Sequence, residues 1–192
     1  MRIGVTGIFA SGKGTVCSMF EKLGAGVVDT DIIAKEIMEP GHEGLAAIID
    51  EFGDSFIIEG RLDRRAFADY VFKDSVKVKR LNEITHPLIR KLTEERTKSG
   101  LFMVNVPLLF ETGFDKFMDR NIVVFSERSQ AIERGMLRDN ISENEIEARL
   151  KYQIPLNEKK RLADYVIDNS GSLENTQRQV VEIWNILMKN RE

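Results

Sequence analysis

The chain has one cysteine, four prolines, one tryptophan and two histidines among 192 residues. A lone Cys17 cannot close an internal disulfide and gives no metal cluster. It lies early in the first predicted helix, where it is expected to pack as a small hydrophobe. Positive charge is not in excess. Lys and Arg number 28 against 31 Asp and Glu, a net charge of −3, which argues against a general nucleic-acid binder, although local basic patches stay open. No apolar run approaches a membrane span. The N-terminus lacks a charged stretch followed by an apolar one, so no secretory signal is expected. These absences leave a cytoplasmic enzyme as the expectation, with no nucleic acid and no membrane as partner. No internal repeat or low-complexity tract is present, and 192 residues can bury a core as one α/β domain with insertions, or as a large and a small lobe.

What is present begins almost at once. Ile3-Gly4-Val5-Thr6 is a short buried-type strand, and Val16 to Leu23 has helical spacing. Between them lies Gly7-Ile8-Phe9-Ala10-Ser11-Gly12-Lys13-Gly14-Thr15. Strand, glycine loop and helix is the context that gives G-x-x-x-x-G-K its meaning. Glycines let successive N–H groups turn inward around phosphate oxygens, the helix N-terminus adds partial positive charge, and Lys13 can reach the outer phosphates. The alternative, a turn that only joins a strand to a helix, fits the spacing, the lysine and the flanking elements less well. A nucleoside triphosphate is therefore the expected ligand. The usual motif follows its lysine with Ser or Thr, whose hydroxyl binds magnesium. Here Gly14 follows, and the hydroxyl comes one place later on Thr15, as in the loops of adenylate kinases and other small-molecule kinases.

Further buried-type strands are read at Val27–Val28, Phe102–Val106, Ile122–Phe125 and Val166–Ile167, with helical patterns between them. That alternation predicts a parallel sheet. The long gap between the second and third strands reads as a helical insertion. Ile32–Met38 and Leu45–Phe52 come first, then a loop or small hairpin from Gly53 to Gly60, and a helix from an Asp63 cap through Phe72. Val76–Ile84 and Leu88–Thr97 read as two helices, with His86-Pro87 at a loop-to-helix junction. A second insertion holds a helix at Arg128–Leu137, a capping box at Ser142 and Glu145 that opens a helix to about Tyr152, and a further turn at Glu158–Leu162. A last helix runs from about Leu173 to Met188.

Asp29 and Asp31 follow the second strand, and ligands of open α/β sheets sit outside the carboxyl ends of the strands. The two carboxylates could serve as a magnesium ligand and a general base, or equally as a helix cap and a solvated acid. Asn105 ends the third strand where a mechanochemical ATPase would carry Asp. Pro107-Leu108-Leu109-Phe110 could line an apolar substrate slot or be a buried strand end. His86 could bind an anion, or cap a helix. Arg134 and Arg138 share a helix face, as do Arg149 and Gln153 on the next predicted helix, and the group could clamp phosphates. Lys77, Lys79 and Arg80 read as a solvated face, and so do Lys159, Lys160 and Arg161.

Taken in order, these elements resemble the dephospho-coenzyme A kinase family over nearly the full length. The resemblance rests on Thr6-Gly7 through Val16, Asp29-Thr30-Asp31-Ile32-Ile33-Ala34, Glu39-Pro40-Gly41 and Arg64-Arg65. It continues in His86-Pro87-Leu88-Ile89, Val106-Pro107-Leu108-Leu109-Phe110-Glu111, Arg138-Asp139, Gln153, Ala163-Asp164 and Ile167-Asp168-Asn169. Gly14 and Asn105 depart from the family pattern, and both touch magnesium handling. The resemblance implies a P-loop core with a five-stranded parallel sheet (about 1–31, 101–126 and 163–192), a helical substrate lobe (about 32–100) and a helical lid (about 134–162). It implies transfer of phosphate from ATP, with Mg2+, to the ribose 3′-hydroxyl of dephospho-coenzyme A, by a monomer. Asp31 matches the catalytic base, with Lys13 and Arg138 also catalytic. Ala10, Ser11, Gly12, Lys13, Gly14, Thr15 and Asn169 would bind ATP, and Thr15 and Asp29 magnesium. Asp31, Arg65, His86, Pro107, Leu108 and Leu109 would face the acceptor. Two rivals stand beside it: another small-molecule or nucleoside monophosphate kinase, and a GTPase-like switch. The second should carry Asn-Lys-x-Asp, which is absent from the chain.

Overall fold

The computed structural model of the chain describes residues 1–189; the expected core segment 163–192 runs three residues beyond them. In chain order the elements are β1 (Arg2–Thr6), α1 (Lys13–Lys22), β2 (Gly26–Asp29), α2 (Thr30–Glu36), α3 (Glu43–Phe52), β3 (Ile57–Ile58), β4 (Arg61–Leu62), α4 (Arg64–Val71) and α5 (Ser75–Arg96). There follow β5 (Phe102–Asn105), a 3₁₀ turn at Phe114–Phe117, β6 (Arg120–Phe125), α6 (Arg128–Asp139), α7 (Glu143–Leu150), α8 (Leu156–Leu162), β7 (Tyr165–Asp168) and α9 (Leu173–Lys189).

Two compact units result. The first comprises Met1–Val28 and Ser99 onward. Its five-stranded parallel sheet has the order β2-β5-β1-β6-β7. The register pairs Val5 with Asn105, Thr6 with Val123, and Phe125 with Asp168, so these strands end along one edge of the sheet. Ile3, Val5, Met103, Ile122, Val124 and Ile167 are fully buried, and α1 and α9 supply Val16, Phe20, Val180 and Leu187 to the same core. Each such side chain contributes about 1.5–3 kcal/mol of burial. A second apolar cluster lies under the glycine loop. Ile8 and Phe9 of the glycine loop pack with Ala131, Ile132, Ile146, Leu150 and Leu156 of α6, α7 and α8.

The second unit, Asp29–Lys98, is helical apart from the small β3–β4 hairpin. Its core joins Ile48, Phe67 and Val71, with Phe52 and Phe56 edge-on to the Phe67 ring at 5.3 and 5.5 Å. Asp63 caps α4 as expected, accepting from the amides of Arg65 and Ala66. Where two helices were predicted, α5 runs unbroken through Pro87. Proline removes a donor, clashes with the preceding turn at a cost of about 3 kcal/mol, and disfavours helix at the residue before it. Here α2, α3 and α4 all pack on α5, and that burial outweighs the local penalty. His86 is therefore a mid-helix residue and not a helix cap.

Candidate active site

The glycine loop turns from β1 into α1 at Gly12, whose φ of +93° favours glycine. A Cβ there would stand 2.1 Å from Nδ2 of Asn169. That amide donates to the Ser11 carbonyl at 2.9 Å, while its Oδ1 accepts from Thr176 Oγ1 at 3.0 Å. Asn169, Ser11 and Thr176 are all buried. Asn169 thus braces the loop from behind, both ends of its side-chain amide being held by Ser11 and Thr176. Ala10 holds φ of +56° without being glycine, a strained conformation often kept at functional sites. Lys13 opens α1 and turns back across the loop, its Nζ donating to the carbonyls of Ile8 at 3.0 Å and Gly7 at 3.3 Å. The first-turn amides of α1 have no intrahelical acceptors, and the helix dipole reinforces them. Gly14 and Thr15 are exposed, and nothing lies within 4 Å of a Cβ placed on Gly14.

The α6–α8 segment is fastened to this loop. The Phe9 amide donates to Gln153 Oε1 at 3.0 Å, and the guanidiniums of Arg138 and Arg149 each stand 5.1 Å from the Phe9 ring centre. Asp139 lies between the two arginines, 2.7 Å from Arg138 Nε and 3.6 Å from Arg149. The bond from Arg138 holds the Asp139 carboxyl below the usual carboxylate range. The capping box forms, and Glu145 is occupied with Ser142. Arg134 and Arg138 lie one turn apart on α6 as expected, and Arg134 donates to the Asn169 carbonyl, tying α6 to the loop after β7. One expectation changes. Gln153 lies beyond the end of α7 at Leu150, so it shares no helix face with Arg149.

After β5, the Pro107 carbonyl accepts from Thr6 Oγ1 at 3.1 Å. Leu108 is 38% exposed, but Leu109 is fully buried; its side chain is part of the core, against the expectation that it lines a substrate slot. Lys159 is the larger surprise, because the run Lys159-Lys160-Arg161 reads as a solvated face. The Lys159 side chain is fully buried, and its ammonium pairs with Glu111 at 2.8 Å. Burial lowers its pKa, and the Glu111 partner opposes that shift. A run of three cations gives no pattern by which a sequence could pick out the buried one. Lys160 lies over the Phe125 ring instead.

The second unit carries Asp29, Asp31, Arg65 and His86. Asp29 is the cap of α2, its Oδ1 accepting from the amides of Asp31 and Ile32 at 2.8 and 3.3 Å. Asp31 is exposed in the first turn of that helix. Arg65 is exposed on α4, whereas its neighbour Arg64 is bonded to the Lys35 carbonyl and to Glu39. His86 is half-buried on α5; burial lowers its pKa, and Arg90 one turn on adds to the shift, so the imidazole is neutral at physiological pH. Among the described residues, no group of three or more His, Cys, Asp or Glu side chains could hold a metal ion, and no helix is long and apolar enough to cross a membrane.

A family model described as CoaE, dephospho-CoA kinase, matches residues 1–175. A dephospho-CoA kinase of Listeria monocytogenes is 39% identical, with 98% of each chain covered. Among solved structures, protein TT1252 of Thermus thermophilus superposes with a TM-score of 0.85 at 33% identity, covering 97% of both chains. The dephospho-CoA kinase of Campylobacter jejuni gives a TM-score of 0.73 at 28% identity, over 100% of this chain and 98% of that one. A match that runs through the glycine loop, the helical insertion and the segment after α6 cannot come from a shared nucleotide loop alone, and the chain belongs to the dephospho-CoA kinase family, which catalyses the final step of coenzyme A biosynthesis.

Proposed function

We propose that this protein transfers the γ-phosphoryl group of ATP to the ribose 3′-hydroxyl of dephospho-coenzyme A, with the residues of this chain in the following roles. The single observation that carries the reading is the braced glycine loop with Lys13 folded over it, in a chain of this family. The loop amides and Lys13 hold the triphosphate. Arg138, kept beside the loop by Phe9, meets the charge that develops on the transferring group. Asp31 accepts the hydroxyl proton; a ribose hydroxyl is a poor nucleophile at neutral pH, and an exposed carboxylate can supply general-base help. Arg65, His86, Pro107 and Leu108 face the acceptor, while Leu109 is buried in the core of the first unit.

Mg2+ enters with ATP. Hard oxygen donors suit it, and it commonly keeps waters and substrate phosphates with one or two protein ligands. Thr15 and Asp29 are the protein oxygens assigned to it. When bound, the ion would offset negative charge on the triphosphate. Residues 32–100 serve as the substrate lobe and 134–162 as the lid, on a monomer that works in the cytoplasm. The test is ADP release measured with and without dephospho-coenzyme A. Release should depend on that acceptor, and AMP or shikimate should not replace it. Equal turnover with AMP would return the chain to the broader class of small-molecule kinases.

A further inference from the structure

Lys159 and Glu111 form a buried pair that none of the roles above uses. Glu111 Oε1 accepts twice: from Lys159 Nζ at 2.8 Å and from the Ile154 amide at 2.9 Å. Lys159 Nζ also donates to the Pro107 carbonyl at 3.3 Å, the oxygen that Thr6 Oγ1 reaches from the end of β1. Next to Ile154, Gln153 holds the Phe9 amide of the glycine loop. One carboxylate and one ammonium therefore join the end of β1, the turn after β5, the strand of chain leaving α7, and α8.

The pair is poorly explained as a stabilising device. Its second carboxylate oxygen, Glu111 Oε2, is buried without a hydrogen-bond partner. Buried ion pairs are commonly replaceable by apolar residues with no loss of stability, and an unsatisfied buried oxygen makes the balance worse. What the pair does supply is direction. A charge-assisted bond fixes an angle that apolar packing would leave loose. It acts where chain 151–155 meets both the glycine loop and the turn carrying Pro107 and Leu108.

We propose that the Glu111–Lys159 pair is a positioning latch that sets how the α6–α8 segment is held to the turn after β5, so that closure over the nucleotide is linked to the surface at Pro107 and Leu108. The linkage to catalysis rests on reading α6–α8 as the lid of a phosphotransfer site; the latch itself does not. Neither residue touches the reacting atoms, so both are positioning residues. A loosened lid admits water, which competes with the hydroxyl as phosphoryl acceptor.

The experiment compares wild type with Lys159→Met and with Glu111→Gln/Lys159→Met. The single variant strands a buried carboxylate and can fail to fold. The double variant removes both charges and keeps an acceptor for the Ile154 amide. Two readouts are taken on the whole chain. Hydrogen exchange at residues 143–156 should quicken by about 10-fold in the double variant while the amides of β1, β5 and β6 stay unchanged. The share of ATP lost to water, relative to acceptor phosphorylated, should rise by about 10-fold with KM for ATP within about 2-fold of wild type. Unchanged exchange at 143–156 in a folded double variant overturns the latch, whatever the reaction proves to be. Faster exchange with an unchanged partition of ATP overturns its linkage to catalysis. Failure of wild type to show acceptor-dependent ADP release rejects the functional reading instead, and the exchange result still decides the latch.

Discussion

Asn169 lies directly behind Gly12, with its amide 2.9 Å from the Ser11 carbonyl and its own oxygen held by Thr176. Because a carbonyl can only accept, the Ser11 oxygen requires the Asn169 NH2, and the Asn169 oxygen is left to accept from Thr176 of α9. The bracing group is neutral, buried and satisfied on both sides, so removing either partner leaves a polar atom stranded at a typical cost of about 1–3 kcal/mol.

Thr176→Val and Asn169→Ala should therefore both weaken ATP binding through the shape of the loop. Asn169→Ala should lose about 10-fold in affinity, equivalent to about 1.4 kcal/mol, with a lower melting temperature. Thr176→Val, which keeps the shape, should lose less. Isothermal titration with a non-hydrolysable ATP analogue, alongside thermal unfolding, checks both. Wild-type affinity in Asn169→Ala would show that the loop holds its shape without the brace.

The five strands, the capping box and the cap at Asp63 were legible in the sequence because each is written locally, in β-branched runs or in a polar side chain that accepts from an amide within three residues. Pro87 misled for the same reason. Its local penalty is real, and only the packing of three helices on α5, which no short window contains, overrides it. Lys159 was misread because charge does not announce burial; its partner is 48 residues away, in a turn that reads as apolar. The brace that Asn169 gives the loop was not legible either, since that hydrogen bond crosses 158 residues.

Gly14 separates two explanations for its departure from the family pattern. A glycine kept for close packing should have neighbours where a Cβ would go, and there are none within 4 Å. Gly14→Ser should therefore fold and should stiffen the first turn of α1 by about 0.5 kcal/mol, from helix propensity alone. ATP affinity without magnesium should be unchanged, and affinity with magnesium should improve. Titration with and without the metal checks this; a loss of ATP affinity in both conditions would show that Gly14 serves the loop's backbone.

His86 should make stability fall on mild acidification. Its folded-state pKa lies below the ordinary value of 6.5, through burial first and the nearby Arg90 second. Below pH 6.5 the unfolded chain takes up a proton that the folded chain resists. Stability is thus fully present above 6.5 and is lost as pH falls from 6.5 through the folded-state pKa. His86→Gln should flatten the decline of melting temperature between about pH 7 and 5. An identical decline in the variant would assign it to other groups.

Asp31→Asn should separate chemistry from binding. Asp29, not Asp31, caps α2, and it does so through backbone amides that the substitution leaves in place. Asn keeps the size and polarity of an exposed residue, so the fold should be unaffected. If Asp31 accepts the hydroxyl proton, turnover should fall by about 10²–10⁴-fold. That is about 3–5 kcal/mol of transition-state stabilisation. ATP affinity should change little, since the loop amides and Lys13 carry it. Asp29→Asn is the matched control, because Asn is as good a helix cap as Asp. Its loss of a negative charge should be partly offset by raised magnesium if Asp29 serves the metal, whereas the Asp31→Asn defect should not respond. Single-turnover kinetics across a magnesium series, with nucleotide affinity measured in parallel, distinguishes the two. Turnover within a few-fold of wild type for Asp31→Asn would remove Asp31 from the base role. A matching loss of ATP affinity would make it a nucleotide or metal ligand.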